Sequence, residues 1–367
     1  MSRKSARRRF AVPIALAAGI VTAAAGTGIV SASGASDLPD RSAAQLLEDV
    51  QNSDIEGLSG TVVQNANLGL PSLGQSGGGL TQLADGSNQM RVWYAAPDKM
   101  RTAVLSDYGE SDTIRNGEDV WTWNSEGGEA THYTLPKKAA DAPLWPPSEM
   151  GGADPAKAAE QALKAIEPTT KVSTSQPVEV AGRDAYELVL EPKDGESLVD
   201  RVTLAIDAEH GVPLRTQVYS DDEKEAAFDI GFSRVDFGTP DKENFTFTAP
   251  KGVTVTEGTD ELSDFLSNGK KPAADADVKA VGKGWTTVLT GEFDLKELSK
   301  ETKKKAKHGG ESVDLEKVLK QLPEVSGKWG SGRLFESKLV NALLTDDGRF
   351  YIGSVTPERL YEVADGK

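Results

Sequence analysis

The sequence predicts a mainly β protein, α+β overall, with a large antiparallel sheet followed by a small C-terminal α+β unit. Three observations carry this. Apolar residues alternate with polar or small ones across residues 202–255, as Val202, Leu204 and Ile206 and again as Phe228, Ile230 and Phe232. A period of two gives each strand one buried face. Turns containing Gly or Pro separate the runs, at 207–213 and at 249–253, which punctuates an antiparallel meander and not a helical crossover. About ten such runs precede residue 257, more than a flat open sheet usually carries without curling. Large inward side chains then fit a curled sheet around a cavity or a core.

The elements follow in chain order. Residues 1–35 form a targeting segment. Arg3, Lys4, Arg7, Arg8 and Arg9 make a basic start, an Ala/Gly/Val/Ile run fills 10–30, and small residues surround Ala32 and Ala35. This is the layout of an ordinary Sec signal, with a partial twin-arginine look at 6–10. Residues 10–30 are also long enough to remain as a membrane anchor, although their Ala and Gly content favours cleavage. Either way the body lies outside the cytoplasm, secreted or held at the cell membrane. Ser42 and Gln45 have capping-box spacing ahead of a helix with Leu46, Leu47 and Val50 on one face. A strand over 58–70 leads into a Gly/Ser-rich stretch at 71–86, whose glycines lack the Lys-Ser/Thr of a phosphate loop. Extended runs follow at 90–94, 99–105, 120–123 and 131–135, with Val92, Tyr94, Trp121 and Trp123 on the apolar positions.

Residues 139–154 hold three prolines and a Gly pair around Trp145, so they form no regular element. Asp154 and Pro155 then start a helix with Ala159, Ala162, Leu163 and Ile166 along one stripe. Strands at 172–180 and 183–190 turn at Ala181-Gly182 and bring in Leu188 and Leu190. Residues 258–277 read as a linker. Residues 278–367 form a separate small α+β unit, with a strand around Trp285, a helix ended by Pro323, strands at 334–345 and 349–355 hinged at Asp346-Asp-Gly348, and a last helix after Thr356-Pro357.

Two stretches also resemble a known family. The run Ile206-Asp207, the turn Gly-Val-Pro-Leu-Arg at 211–215 and the closing Phe-x-Phe-x-x-Pro-x-Gly-Val at 245–253 are similar to the LolA/RseB-type lipoprotein-carrier superfamily. So are Pro-x-Lys-x-Arg at 97–101 and Asn-Gly ahead of Val-Trp-x-Trp at 116–123. Each motif alone is degenerate; their order and spacing carry the resemblance, over about residues 40–257. It implies a half-open antiparallel β-barrel with a helical lid, the lid falling on the loop and helix after residue 139. It also implies binding of acyl chains on the concave apolar face.

Composition narrows the chemistry. The chain of 367 residues has no cysteine, which removes disulfides, thiol nucleophiles and a lipid-attachment cysteine. Loss of residues 1–35 would take away five positive charges and no negative one, moving the formal net charge from -16 to -21. So acidic a body repels phosphate backbones, and no nucleic-acid partner is expected. The one basic block, residues 300–308, reads as a solvated face. His132, His210 and His308 are scattered without ligand spacing, and no zinc-protease, Walker, Gly-x-Ser-x-Gly or EF-hand pattern occurs. The expectation is therefore a non-enzymatic protein with no metal and no cofactor.

The candidate ligand-binding residues are Val92, Tyr94, Trp121, Trp123, Leu188, Leu190, Val202, Leu204, Ile206, Phe228, Ile230 and Phe232. Alternation by itself favours a filled barrel, as in a purely structural envelope protein, and the resemblance reverses that balance. With the resemblance, the first reading is an extracytoplasmic carrier whose partner is a lipid or an acylated lipoprotein. The alternative is an RseB-type envelope sensor that binds an anti-sigma factor or another membrane-bound regulator protein, for which two units suit better than one.

Overall fold

The computed structural model describes residues 38–69, 85–105, 109–141, 144, 155–220, 224–258, 278–293 and 319–366. The targeting segment, the Gly/Ser-rich stretch at 71–84, Trp145, the Asp154 cap, the linker at 259–277 and the basic block lie outside the described residues. Among the described residues no helix is long and apolar enough to cross a membrane.

The chain opens with helix α1 (Ala43–Gln51), where the expected capping box forms in full. The Gln45 amide donates to Ser42 Oγ, and the Gln45 side chain accepts from the Ser42 amide at 2.8 Å. Six strands then run as consecutive hairpins: β1 (Gly57–Asn67), β2 (Asp85–Ala95), β3 (Lys99–Leu105), β4 (Glu110–Asn116), β5 (Asp119–Asn124) and β6 (Glu129–Thr134). Strand β4 has no counterpart in the sequence reading. Its buried positions are Asp112 and Ile114, and a charged residue at an inward position erases the apolar alternation.

Two helices follow, the single turn α2 (Lys137–Ala140) and α3 (Pro155–Ile166). The predicted strand at 172–180 divides into β7 (Thr170–Thr174) and β8 (Val178–Val180), both along one edge of β9 (Arg183–Pro192). The β8–β9 turn is tight: Ala181 and Gly182 both have positive φ, 53° and 76°, the geometry of a type I′ hairpin. The meander β10 (Val199–Asp207), β11 (Pro213–Ser220) and β12 (Phe228–Asp236) forms as expected.

β12 pairs antiparallel with β1, so the two strand sets join into one 13-stranded sheet. Its order is β6-β5-β4-β3-β2-β1-β12-β11-β10-β9-β7. Beyond β12 the chain departs from the predicted antiparallel continuation. Phe245 sits fully buried in a 3₁₀ turn, and β13 (Thr254–Glu257) adds to β6 as a parallel edge strand.

Helices α1 and α3 pack on each other and on the β9–β10 part of the sheet. Leu46, Leu47 and Ala159 meet Tyr186, Leu188 and Ile206 in one core, with Leu163 against it. The helix placed at the lid position is therefore a packed layer, with Ala159 fully buried.

The second sheet has six strands in the order β14-β15-β19-β18-β17-β16. These are β14 (Lys279–Val281), β15 (Val288–Glu292), β16 (Glu324–Gly327), β17 (Gly330–Phe335), β18 (Asn341–Thr345) and β19 (Arg349–Gly353). The predicted strand around Trp285 breaks at a 3₁₀ turn over Gly284–Thr286. The predicted strand at 334–345 is a hairpin, because Ser337 folds the chain: its Oγ accepts from the Val340 amide at 3.0 Å. The final helix α4 (Pro357–Ala364) buries Leu360, Val363 and Ala364 as expected. It packs over Leu343 and Tyr351.

The β10–β11 turn makes one position intolerant. Gly211 has φ 67°, and a Cβ there would lie 2.5 Å from the Asp49 carbonyl oxygen at the end of α1. Gly128 has a similar φ of 61° but open space around it. Gly211→Ala should therefore cost about 2–3 kcal/mol more than Gly128→Ala, which carries only the conformational term of ~1 kcal/mol. Urea unfolding of both variants checks this.

Candidate functional site

The residues singled out from sequence fall into three groups. Val92 and Tyr94 on β2 and Ile230 on β12 are buried in a core with Val62 and Met90, and Phe228 and Phe232 pack half-buried against it. Register explains this grouping. Val62 lies opposite both Met90 and Phe232, and Gly60 opposite both Val92 and Val235, so alternate residues of three neighbouring strands share a face.

Gly60 has no room for a side chain, because the Arg234 carbonyl and the Phe232 ring of β12 crowd that place. A Cβ on Gly60 would lie 2.9 Å from the Phe232 ring. Leu144, inside the proline-rich stretch, also packs against this core, and its amide donates to the Pro97 carbonyl at 3.1 Å.

The second group is turned to the helices. Leu188 and Ile206 are buried with Leu46, Leu47 and Ala159, and Leu190 and Leu204 pack alongside. Leu188 pairs with Leu204 and Tyr186 with Ile206. The intervening Ala185 and Ala205 belong instead to the core of Val92 and Tyr94, so successive residues of β9 and β10 serve different cores. Val202 is half-buried opposite Leu190 and belongs to neither core.

The third group is Trp121 and Trp123, half-buried on β5. Both lean on Phe247, with ring centroids 5.1 and 6.0 Å away. Trp121 also stacks on His132 at 4.4 Å, and the two ring nitrogens of His132 face Asp119 at 2.8 Å and Glu257 at 3.2 Å. The tryptophans are thus covered by the chain's own return segment and are not gathered with the other candidates. Phe247 and Leu144 were absent from the sequence-derived set. Phe247 stands in the family-like closing motif, whereas nothing local marks Leu144.

Two buried carboxylates frame these apolar layers. Asp207, whose side chain is fully buried, accepts from the Arg183 guanidinium through both oxygens and from the His210 amide at 2.7 Å. Burial pushes its pKa up, but the hydrogen bonds from Arg183 and His210 outweigh it and hold the group below the usual aspartate value. Phe237 completes the cluster, stacked on His210 with Arg183 over its ring.

Asp112 shows the opposite balance. Burial pushes it up to about 6, Arg101 pulls it down and Glu110 pushes it up again. Its Oδ2 accepts from Arg101 at 2.6 Å, while Oδ1 has no hydrogen-bond partner among the described residues. Among the described residues no three His, Asp or Glu side chains gather as a metal site. Two polar crevices among the described residues, of about 350 Å³ and about 280 Å³, are lined by none of the twelve candidates.

No family model matches the chain, and no curated protein sequence matches it. Similar solved structures exist. MucB in the MucA/MucB complex of Pseudomonas aeruginosa is 15% identical with a TM-score of 0.44, covering 88% of this chain and 96% of that one. MucB alone is 14% identical with a TM-score of 0.41, over 88% and 96%. A LolA superfamily protein from Nitrosomonas europaea is 11% identical with a TM-score of 0.21, covering 57% of this chain and 99% of that one. At these identities a likeness speaks to the fold alone, and with these scores the function has to be read from this chain's own residues.

The two carboxylates predict pH effects of opposite sign. The folded pKa of Asp112 lies above that of an unfolded aspartate, about 3.9. Its stabilising share is therefore complete below about pH 4 and is lost as pH rises through about 6. Asp112→Asn should flatten the fall in unfolding free energy between those pH values. Asp207 is depressed, so its share is present above about pH 4 and lost on acidification. Asp207→Asn should cost about 3 kcal/mol at neutral pH by removing the buried partner of Arg183, which would keep only the exposed Glu209. Urea unfolding across the pH series reads both.

Proposed function

We propose that the protein is an extracytoplasmic, non-enzymatic binding protein that holds acyl chains of a lipid or lipoprotein against the apolar layers of its large sheet. Its unit of function spans residues 40–257, joined by the 258–277 stretch to a smaller unit at 278–367. The observation that carries this reading is the half-buried state of Phe228 and Phe232 over a core of Val92, Tyr94 and Ile230. Large aromatic rings of that kind normally close into a core unless they serve a surface.

Leu188, Leu190, Leu204 and Ile206, with Val202 beside them, form a second apolar layer that α1 and α3 cover. Trp121 and Trp123 form a third, covered by Phe247. In this reading the first layer is the resting surface of an acyl chain, and separation of α3 from the sheet would expose the second, on the other face of β9 and β10. An acyl chain needs apolar area and no charged motif. About sixteen methylenes at ~0.8 kcal/mol each gain on the order of 10 kcal/mol before ordering costs. The family resemblance of the motifs at 97–123 and 206–253 agrees with this use of the fold.

A second reading, a sensor that binds a membrane-bound regulator, is favoured by one observation. The Leu198 amide donates to the Ser354 carbonyl at 2.9 Å and the Thr356 amide to the Glu196 carbonyl at 3.1 Å, around the bridge of Ser197 with Val355. Backbone pairing between the two sheets gives a two-part body, which a simple carrier does not require.

Native mass spectrometry of purified residues 36–367, with organic extraction, tests the carrier reading. Adducts of lipid or acylated-peptide mass that disappear on denaturation are expected. Phe232→Glu should lose them while keeping the wild-type circular dichroism spectrum and a cooperative melt. A clean mass that stays clean after mixing with membrane lipids would overturn the carrier reading, and co-purification of a membrane protein in its place would support the sensor.

A further inference from the structure

The larger of the two polar crevices lies where the sheets meet, and its walls come from both. Pro168, Thr169, Lys193 and Asp194 line it from the large sheet's side, and Lys283 and Trp285 from the small sheet's side. It measures about 350 Å³, room for a ligand the size of a phosphorylated glycerol or sugar and too small for an acyl chain with its head. We propose that this crevice is a binding site for a phosphate-type oxyanion, held between Lys193 and Lys283.

Charge is the first argument. In a chain of formal net charge -16, carboxylates are plentiful and many cations pair with one: Lys171 with Glu191, Arg215 with Asp229 and Arg333 with Glu324. Lys193 and Lys283 make no ion pair among the described residues. Lys193 Nζ donates to the Glu167 carbonyl at 2.5 Å, which leaves its charge uncompensated. The one acid in the crevice, Asp194, accepts from the Glu196 amide at 3.1 Å and forms an ion pair with neither lysine, so two ammonium groups stand against one carboxylate. Two ammonium groups from opposite walls and a single carboxylate leave the recess one net positive charge, which an anion would neutralise.

Rigidity is the second. Trp285 Nε1 donates to Thr170 Oγ1 at 2.8 Å across the junction. Gly284, at φ 56°, lets the 3₁₀ turn approach Thr169 so closely that a Cβ would sit 2.5 Å from its Oγ1. Behind them run the backbone bonds of Leu198 and Thr356. The walls are therefore fixed before a ligand arrives, and binding does not have to order them. The indole of Trp285, anchored by its N–H, offers an apolar surface for the carbon part of a phosphate ester.

The site is separate from the apolar layers, and its first probe, sn-glycerol 3-phosphate, has no acyl chain, so it can fail or succeed independently of the carrier reading. Titration of the exported chain with sn-glycerol 3-phosphate at low ionic strength, by calorimetry and by NMR of the Trp285 indole N–H, should give saturable binding that weakens as salt is raised. Lys193→Gln and Lys283→Gln should each weaken it about tenfold, the loss of one charge-assisted contact. Lys283→Arg should retain it, and Lys171→Gln should leave it unchanged.

Flotation with phosphatidylglycerol and phosphatidylcholine vesicles distinguishes the source of the phosphate. Binding of the soluble ester alone points to a free metabolite. Binding that also appears on the anionic vesicles and is lost in Lys283→Gln points to a lipid headgroup. Absence of binding to either probe, or binding unaffected by both glutamine variants, overturns the proposal.

Discussion

The fully buried carboxylate of Asp207 is the constraint on which the meander depends. It ends β10, and two separate pieces of chain reach it: Arg183 from the start of β9, and the amides of Glu209 and His210 from the β10–β11 turn. A buried anion left without these donors would be far costlier than any packing defect nearby. Satisfying it fixes the phase of β9 against β10 and the path into β11 together. Phe237, stacked on His210 beneath Arg183, carries the same constraint to the end of β12. The strand that joins the two halves of the large sheet is thereby tied to the strands at its far side.

How much of this was legible in the sequence follows from what each element needs. Hairpins marked by turn chemistry were readable: Ala181-Gly182 and Gly348 take the positive φ that their turns require, and β3 runs over the residues expected. The Ser42 capping box was readable because it is closed by residues three apart. β4 was not, since its inward Asp112 is intelligible only beside Arg101 on the neighbouring strand. The break at Trp285 was hidden for a related reason. A strand-like run bends there because the indole reaches Thr170, 115 residues earlier, and long-range hydrogen bonds leave no local periodicity.

The candidate site shows the same division. Alternation placed Leu188, Leu204 and Ile206 correctly as inward residues, and it placed Val92, Tyr94 and Ile230 correctly as well. It could not tell that the two sets belong to different cores. Parity within a strand is a local property, whereas the partner of a face is decided by register and by which helix returns to cover it. The stripe of Ala159 and Leu163 announced that α3 would pack on something; only the fold names Leu188 and Ile206 as that surface. Trp121 and Trp123 were read as ligand-facing because aromatic side chains on an alternating strand suit a groove. Phe247, more than a hundred residues away, occupies that ground.

These layers bear on the two functional readings in different ways. An apolar surface covered by a helix can be uncovered by rigid displacement of that helix, and the cost is set by the contacts of α3 with the sheet and with α1. The junction between the sheets cannot slide in this way, because it is built from backbone hydrogen bonds at Glu196 and Leu198 and the hydrogen bond of the half-buried Trp285 indole to Thr170. A chain entering beneath α3 would therefore act next to a stiff joint: Thr169 and Thr170, which meet Gly284 and Trp285, follow α3 directly in the chain. Movement of α3 would be felt at the Thr169 wall of the crevice before it reached any other part of the small sheet. A carrier has no use for that proximity, but a protein that reports an occupied apolar layer to a partner on its second unit would need it.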